Sequence, residues 1–512
     1  MRISSLQAYN SGVSGIQRTY SNAARTQEEI SNGKKILTPA DDPVAAVRLL
    51  QLDQEQAALK QYSDNLTAAK NSLTQEESVL DSIGNVVDRV RELTVQAGNG
   101  ALSKTDRQAI ASELKEREEE LLGLMNTKNA RGEYLFGGFQ GKTQPYVRNT
   151  DGSYAYVGDE GQRSVQIAGS TKIAITDNGK NIFDNVSNAA RLQTSSQSVS
   201  GSTLSIGKAI VTDEVSYGTF LQNNPSGAVE IVFDTAEQDV FRVYAYPSDA
   251  SSTPIYEGRM DEDPQGGDQV VFGGMSFYLD GQAAATPKAV GERFTVMPTR
   301  QAVNVQSSST ALDGIVVEDL GAWQSATGGA AAALSVSNVT GNSFDMTLSP
   351  SGEVQTVSGS FPQVVSAFGL KMRFDAVPAD GASYDLSGQA STEKQSILTS
   401  IASLRKVLED APDAPQGNIA VRDSVASALT NLASGQDSIL KARGQIGGRL
   451  NVIEATETSN EDLGLINKTV RSGLEDLDYA EALSRLSLQS VVLEAAQQSY
   501  VKISSLSLFS KM

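Results

Sequence analysis

From Leu59 an apolar stripe runs through Tyr62, Leu66, Ala69, Leu73, Leu80, Ile83, Val87 and Val90. The steps alternate three and four residues, with one break at Glu76. This spacing is a heptad seam, and it predicts one long helix packed in a left-handed bundle. Asp41 and Asp42 before Pro43 supply an acidic cap with proline in the first turn, and "AGNGA" at Ala97–Ala101 supplies the stop. A second helix is expected from about Lys104 to Asn129. Near the other end the alternation returns in Val425, Leu429, Leu432, Ile439, Ile446, Leu450 and Ile453, with Gln436 and Arg443 at its polar turns. Gly447 and Gly448 lie inside that helix. Each costs about 1 kcal/mol against Ala, and close approach of a neighbouring helix is the expected reason for them. A shorter helix, Gln395 to Glu409, precedes it and stops at "DAPDAPQG".

The extreme ends carry stripes of their own. Tyr9, Val13, Ile16, Tyr20, Ala23 and Ile30 share one face at the start. At the finish Leu486, Leu493, Ala496, Tyr500 and Ile503 share another, with Val491, Val492 and Ala495 to the other side. Between Leu486 and Ser510 the charged side chains are Glu494 and Lys502 alone. That mix is too apolar for an exposed helix and too polar for a membrane span. It predicts an assembly surface of Val13, Ile16, Tyr20, Leu486, Leu493, Ala496, Tyr500, Ile503 and Leu506, completed when further copies arrive.

The middle differs. From about Tyr146 to Ala390 Gly, Ser, Thr and Val dominate and short alternating strands appear. "FGGMSFYLDG" from Phe272 and "FGLKMRFDAVP" from Phe368 begin two β units of similar build. The expected fold is α+β and multidomain: a long antiparallel helical bundle built from both chain ends, with inserted β-rich domains. Residues 1–38 and 474–512 form a terminal coiled-coil layer; 39–190 and 395–473 form a helical rod domain with a β-hairpin. Residues 191–305 and 306–394 form two β-rich inserts.

Composition removes more than it adds. Across 512 residues, 42 Lys and Arg stand against 61 Asp and Glu, a net charge of −19. That balance argues against nucleic acid, and no basic amphipathic stretch points to a membrane surface. The chain has no Cys and no His, which removes thiolate nucleophiles, the commonest general base and the commonest metal ligands. A single Trp and 6% aromatics leave little for a stacked ligand cleft. Asp41-Asp42 reads as a helix cap and "EREEE" at Glu116–Glu120 as a solvated helix face. "DEDPQGGDQ" at Asp261–Gln269 lacks calcium-loop spacing. No catalytic, cofactor-binding or metal site is expected, and no enzyme. The start "MRISSLQAYNSGVSGIQ" lacks the apolar stretch of a cleaved signal.

Four stretches read together resemble a known family. "EEISNGKKILTPADDPVAA" (Glu28–Ala46) is similar to the N-terminal segment of bacterial flagellins and their hook–filament junction relatives. "VRELTVQAGNGALSKTDRQAI" (Val90–Ile110) resembles the helix pair that follows, "ARGQIGGRLNVIE" (Ala442–Glu454) the long C-terminal helix, and Leu477–Phe509 the last helix. "RGEYLFGGFQGKTQPY" (Arg131–Tyr146), the opening "MRISSLQ" and the close "SLSLFSKM" resemble the junction branch rather than flagellin itself. The resemblance implies a structural adaptor that polymerises between hook and filament. It implies a homo-oligomeric helical ring or short tube, with the other hook–filament junction protein, flagellin and an export chaperone as partners. It implies export through the flagellar channel to an extracellular place in the flagellum. Arg89, Leu93 and Glu113 fall where flagellins carry the surface read by the vertebrate innate flagellin receptor; shared ancestry of the helices explains the match without that role. A flagellin-type filament subunit, and an adhesin or glycan-active protein on a helical stalk, are the alternatives.

Overall fold

The computed structural model describes residues 5–509 apart from 151, 198–203, 234–238, 261–266, 282–291, 329–330 and 389–391, and without the side chains of 5, 6, 8, 9 and 503–509. The carboxylates at Asp261–Gln269 thus fall largely outside the described residues. Eight α-helices are described: α1 (Ser5–Asn32), α2 (Pro43–Ala97), α3 (Lys104–Met125), α4 (Glu214–Asn223), α5 (Leu320–Thr327), α6 (Ile397–Asp410), α7 (Pro415–Glu475) and α8 (Tyr479–Phe509). Strands fill the middle, so the fold is α+β. The chain divides into two compact units, one of residues 1–73, 164–175 and 447–512 and one of 74–163 and 176–446.

In the first unit α1 runs antiparallel to α8. A Cβ on Gly12 would touch the Tyr500 ring at 3.3 Å, and Arg485 pairs with Glu29 at 2.5 Å. The early part of α2 runs antiparallel to the late part of α7, with Arg471 on Asp53 at 2.8 Å and Lys70 near Glu457 at 3.7 Å. Asp42 starts α2 as expected: its carboxylate accepts the backbone N–H of Val44 and Ala45. Leu59, Leu66, Ala69 and Leu73 are buried along it. Each buried Leu stabilises by about 2 kcal/mol. A small hairpin, Ser164–Gln166 with Lys172–Ala174, lies against both helices. Asn65 of α2 donates to Gln166 O at 2.7 Å and Asn460 of α7 to Ile167 O at 3.3 Å.

In the second unit the seam continues through Leu80, Ile83, Val87 and Val90, all buried. Its break at Glu76 has a purpose. The buried carboxylate accepts the backbone N–H of Asp177 at 3.1 Å and so fixes the loop that follows the rod. Arg443 pairs with Asp81 at 2.9 Å and Gln436 lies beside Gly84, so the polar turns of α7 meet α2. α3 opens with a capping box, Ser103 with Asp106, and packs on α6. It stops at Met125, short of Asn129, because the Asn126 amide pairs with both backbone groups of Tyr146 at 2.9 and 3.0 Å.

Two expectations are corrected here. Glu118, within the cluster read as a solvated face, is fully buried. Arg405 of α6 pairs with it at 2.8 Å and Tyr154 donates to it in a short hydrogen bond. Gly447 and Gly448 face open space, so close helix approach does not explain them.

The middle builds two separate hydrophobic cores. The first lies between a five-stranded sheet (order Tyr256–Arg259, Val240–Ala245, Val229–Phe233, Arg293–Pro298, Leu192–Gln197) and a smaller one around Met275–Asp280. The second lies between another five-stranded sheet (Val303–Ser307, Ser383–Gly388, Ala332–Thr340, Ser343–Ser349, Glu353–Ser358) and a three-stranded one (Leu312–Val317, Leu370–Phe374, Gln363–Ala367). The two share a repeated unit. A strand leads into a helix capped by Asp213 in one and Asp319 in the other, and Tyr217 or Trp323, four residues on, is buried. Each cap docks on a hairpin turn with two left-handed residues, Gly273-Gly274 (φ 55° and 75°) or Phe368-Gly369 (φ 59° and 77°). Thr212 and Asp213 donate to Gly274 O, as Glu318 and Asp319 donate to Gly369 O. A Cβ on Gly274 would lie 2.4 Å from Asp213 O, and one on Gly369 2.6 Å from Asp319 O. The repeat seen from Phe272 and Phe368 is therefore real but set one residue off, since Gly273 corresponds to Phe368.

Candidate functional site

The α1–α8 pair is closed on one side only. Of the predicted surface, Val13, Ile16, Leu486, Leu493, Ala496 and Tyr500 are half-buried in the described chain. The α8 members of this set lie on the helix face that carries Tyr500 toward Gly12 of α1. Tyr20 is 65% exposed. Ile503 and Leu506 belong to the backbone of α8, but their side chains lie outside the described residues.

The other half of α8 carries large apolar side chains among Ser, Gln and a few charged residues. Leu488 is 66% exposed, Val491 62% and Val501 65%, and Leu483 and Val492 are also exposed. A helix with large apolar side chains on opposite sides is normally covered on both. One side here is covered by α1, and the other is bare in a single copy. The sequence stripe singled out the covered side and missed Leu483, Leu488 and Val501. The available signal was the low charge of the whole helix, whose polar positions are mostly Ser and Gln.

The start of the pair is tied down by backbone and charge. Lys35 N donates to Glu475 O at 2.9 Å and Leu477 N to Gly33 O at 3.0 Å. Gly33 has φ +68°, and a Cβ there would meet the Tyr479 hydroxyl at 2.8 Å. Lys34 pairs with Glu475, and Arg471 reaches the same carboxylate at 3.0 Å. Lys34 first, and Arg471 after it, hold the Glu475 carboxyl below its usual value against the opposing effect of burial. Asp41 accepts the N–H groups of Leu37 and Thr38 and pairs with Arg25, fixing the turn into α2.

Arg89 and Glu113 lie together on the surface, with Arg89 Nε and Nη2 donating to Glu113 at 2.9 and 2.7 Å. Leu93 is 1% exposed and belongs to the rod core. The receptor-like surface is therefore corrected: Leu93 is not accessible in the folded chain. Among the described residues no group of three acidic, Cys or His side chains could hold a metal, and no helix is long and apolar enough to cross a membrane.

Comparison with known proteins places this arrangement. Residues 3–141 match the bacterial flagellin N-terminal helical region. The chain is 33% identical over 190 residues to flagellar hook-associated protein 3 of Salmonella typhimurium, which is 37% of this chain and 59% of that protein. It is 27% identical over 180 residues to flagellin B of Vibrio anguillarum, covering 34% of this chain and 48% of that one. The match thus spans less than two thirds of either relative. A crystal structure of flagellar hook associated protein-3 from Legionella pneumophila superposes with a TM-score of 0.48 at 20% identity, over 83% of this chain and 98% of that one. The start of the chain is thus similar to the flagellin helical region, and 190 residues of it are similar to hook-associated protein 3.

Proposed function

We propose that the chain is a structural adaptor of the bacterial flagellum that polymerises where hook meets filament. The observation that carries this reading is the row of exposed apolar side chains on α8, Leu483, Leu488, Val491, Val492 and Val501, on the side that α1 leaves uncovered. The similarity to hook-associated protein 3 favours the junction, since it is higher in identity and coverage than the similarity to flagellin B. In this reading residues 1–38 and 474–512 form the inner layer of a helical ring or short tube. Residues 39–190 and 395–473 form the next layer, and 191–305 and 306–394 face outward. The neighbours are the other junction protein and flagellin, and an export chaperone holds the chain before its passage to the cell exterior. Nothing in this role needs catalysis or a cofactor. A deletion strain should make hooks but shed its filaments into the medium. Attached filaments in that strain would sink the proposal, and thousands of copies per filament would make the chain a filament subunit.

A further inference from the structure

We propose that a buried ionic latch holds the two β inserts together as one rigid arm, and that breaking it lets the second insert swing on the first. Glu230 lies on the central strand Val229–Phe233 of the first insert, and Arg373 on the strand Leu370–Phe374 of the second. They are 1% and 2% exposed. Arg373 Nη1 donates to both Glu230 carboxylate oxygens, at 3.0 and 3.2 Å, and to Ser248 O at 3.2 Å. The carboxylate is completed from its own insert by Arg293 at 2.8 Å and by the N–H and hydroxyl of Ser248 at 3.1 and 2.6 Å. Arg373 is balanced from its own side by Asp313 and by Asp375 at 3.2 Å.

The charges dominate this junction because little else is there. Each insert has its own large core, whereas the cluster between them consists of Ala228, Tyr246, Met297, Ala302 and Val316. Two further hydrogen bonds cross among the described residues, from Ile315 N to the Tyr246 hydroxyl at 3.2 Å and from Gln197 Nε2 to Asp313 at 2.6 Å. A buried charge that loses its partner is strongly disfavoured, while one that keeps it is confined to a narrow geometry. The pair therefore fixes angle as well as contact. The first insert has a separate joint to α7. Arg422 makes two bonds to Asp280 at 2.8 and 2.9 Å and stacks on the Tyr278 ring at 3.8 Å, and Asp423 accepts Lys208 N–H at 2.7 Å. The Glu230–Arg373 latch extends that fixed position to the second insert.

The chain has no native Cys, so one introduced pair can be labelled cleanly. Val215→Cys on the first insert and Val354→Cys on the second are both exposed sites. Spin labels there should give one narrow distance distribution in the parent. Glu230→Gln should broaden it at least twofold while the emission of Trp323, the sole Trp and a core residue of the second insert, stays unchanged. If Trp323 emission reports unfolding, Arg373→Lys, which keeps the charge but loses the two-armed geometry, should give the same broadening in a folded insert. A broad distribution in the parent, or a parent-like width in the folded variant, overturns the latch.

Discussion

In the second insert Phe344, Leu348, Met372 and Phe374 are fully covered by their own chain. Along α8, Leu488, Val491 and Val501 are about two-thirds exposed. Both regions are rich in apolar side chains, yet one completes its core alone and the other does not. The difference follows from geometry. Two sheets facing each other enclose a core between them, whereas two paired helices each turn one side inward and leave the rest outward. The inserts therefore resemble finished domains, and the terminal pair resembles part of a larger bundle.

The sharpest way to break this contrast is charge on the bare side. Val491→Asp should reduce incorporation into junctions more than tenfold, while thermal melting of the monomer stays within experimental error of the parent. Leu493→Asp, on the side toward α1, should also block incorporation but additionally lower the helical circular dichroism of the monomer. If Val491→Asp chains assemble normally, the outward half of α8 is not an interface.

In the closed region the expected effect is on stability instead. Phe344 is fully buried, with its ring 5.2 Å from Phe374 and 6.0 Å from Phe361. Phe344→Ala should cost about 3–5 kcal/mol in denaturant unfolding of the insert. A loss near zero would mean that this core is not tightly packed.

A smaller effect comes from Asp184. Burial pushes its carboxyl up to about 6, against the opposing influence of Ser396, Tyr146 and Lys180. The folded value lies above the unfolded one, so the neutral form is favoured by folding. The carboxylate therefore costs nothing below the unfolded value near 4. Its cost grows as pH rises from about 4 to 6 and reaches about 3 kcal/mol above that. Asp184→Asn should raise the melting temperature at pH 8 and leave it unchanged at pH 4. An equal gain at both values would exclude this cause.

The smallest expected change concerns α7. Gly447 and Gly448 face open space, and Gly447→Ala and Gly448→Ala should each stabilise by about 1 kcal/mol in chemical unfolding. Destabilisation of the monomer would show that a close neighbour exists after all.

How much was legible in the sequence depends on which physical signal each element leaves. The α2 seam was readable because heptad spacing follows directly from helix geometry, and every Leu from Leu59 to Leu80 on that stripe is buried or nearly so. The Asp42 cap was readable for the same local reason. Glu118 was not, because its partner Arg405 is distant in sequence and nothing local separates it from its exposed neighbours. The repeat was half legible: the left-handed turns left a Gly signal, but the matching Asp caps at Asp213 and Asp319 precede helices too short to show a period. At the terminal pair, periodicity located the side that α1 covers. It placed Val491, Val492 and Ala495 on the other side but did not single out Leu483, Leu488 and Val501, because Ser, Gln and charged residues interrupt that side.

The most direct measurement uses the same absence of Cys. Val491→Cys can be labelled with a maleimide in the monomer and in isolated hook–filament junctions. The account predicts fast labelling in the monomer and at least tenfold slower labelling in the junction, with Val215→Cys on the first insert reacting equally fast in both. Equal reactivity of Val491→Cys in the two states would contradict the claim that neighbouring chains complete the bare half of α8.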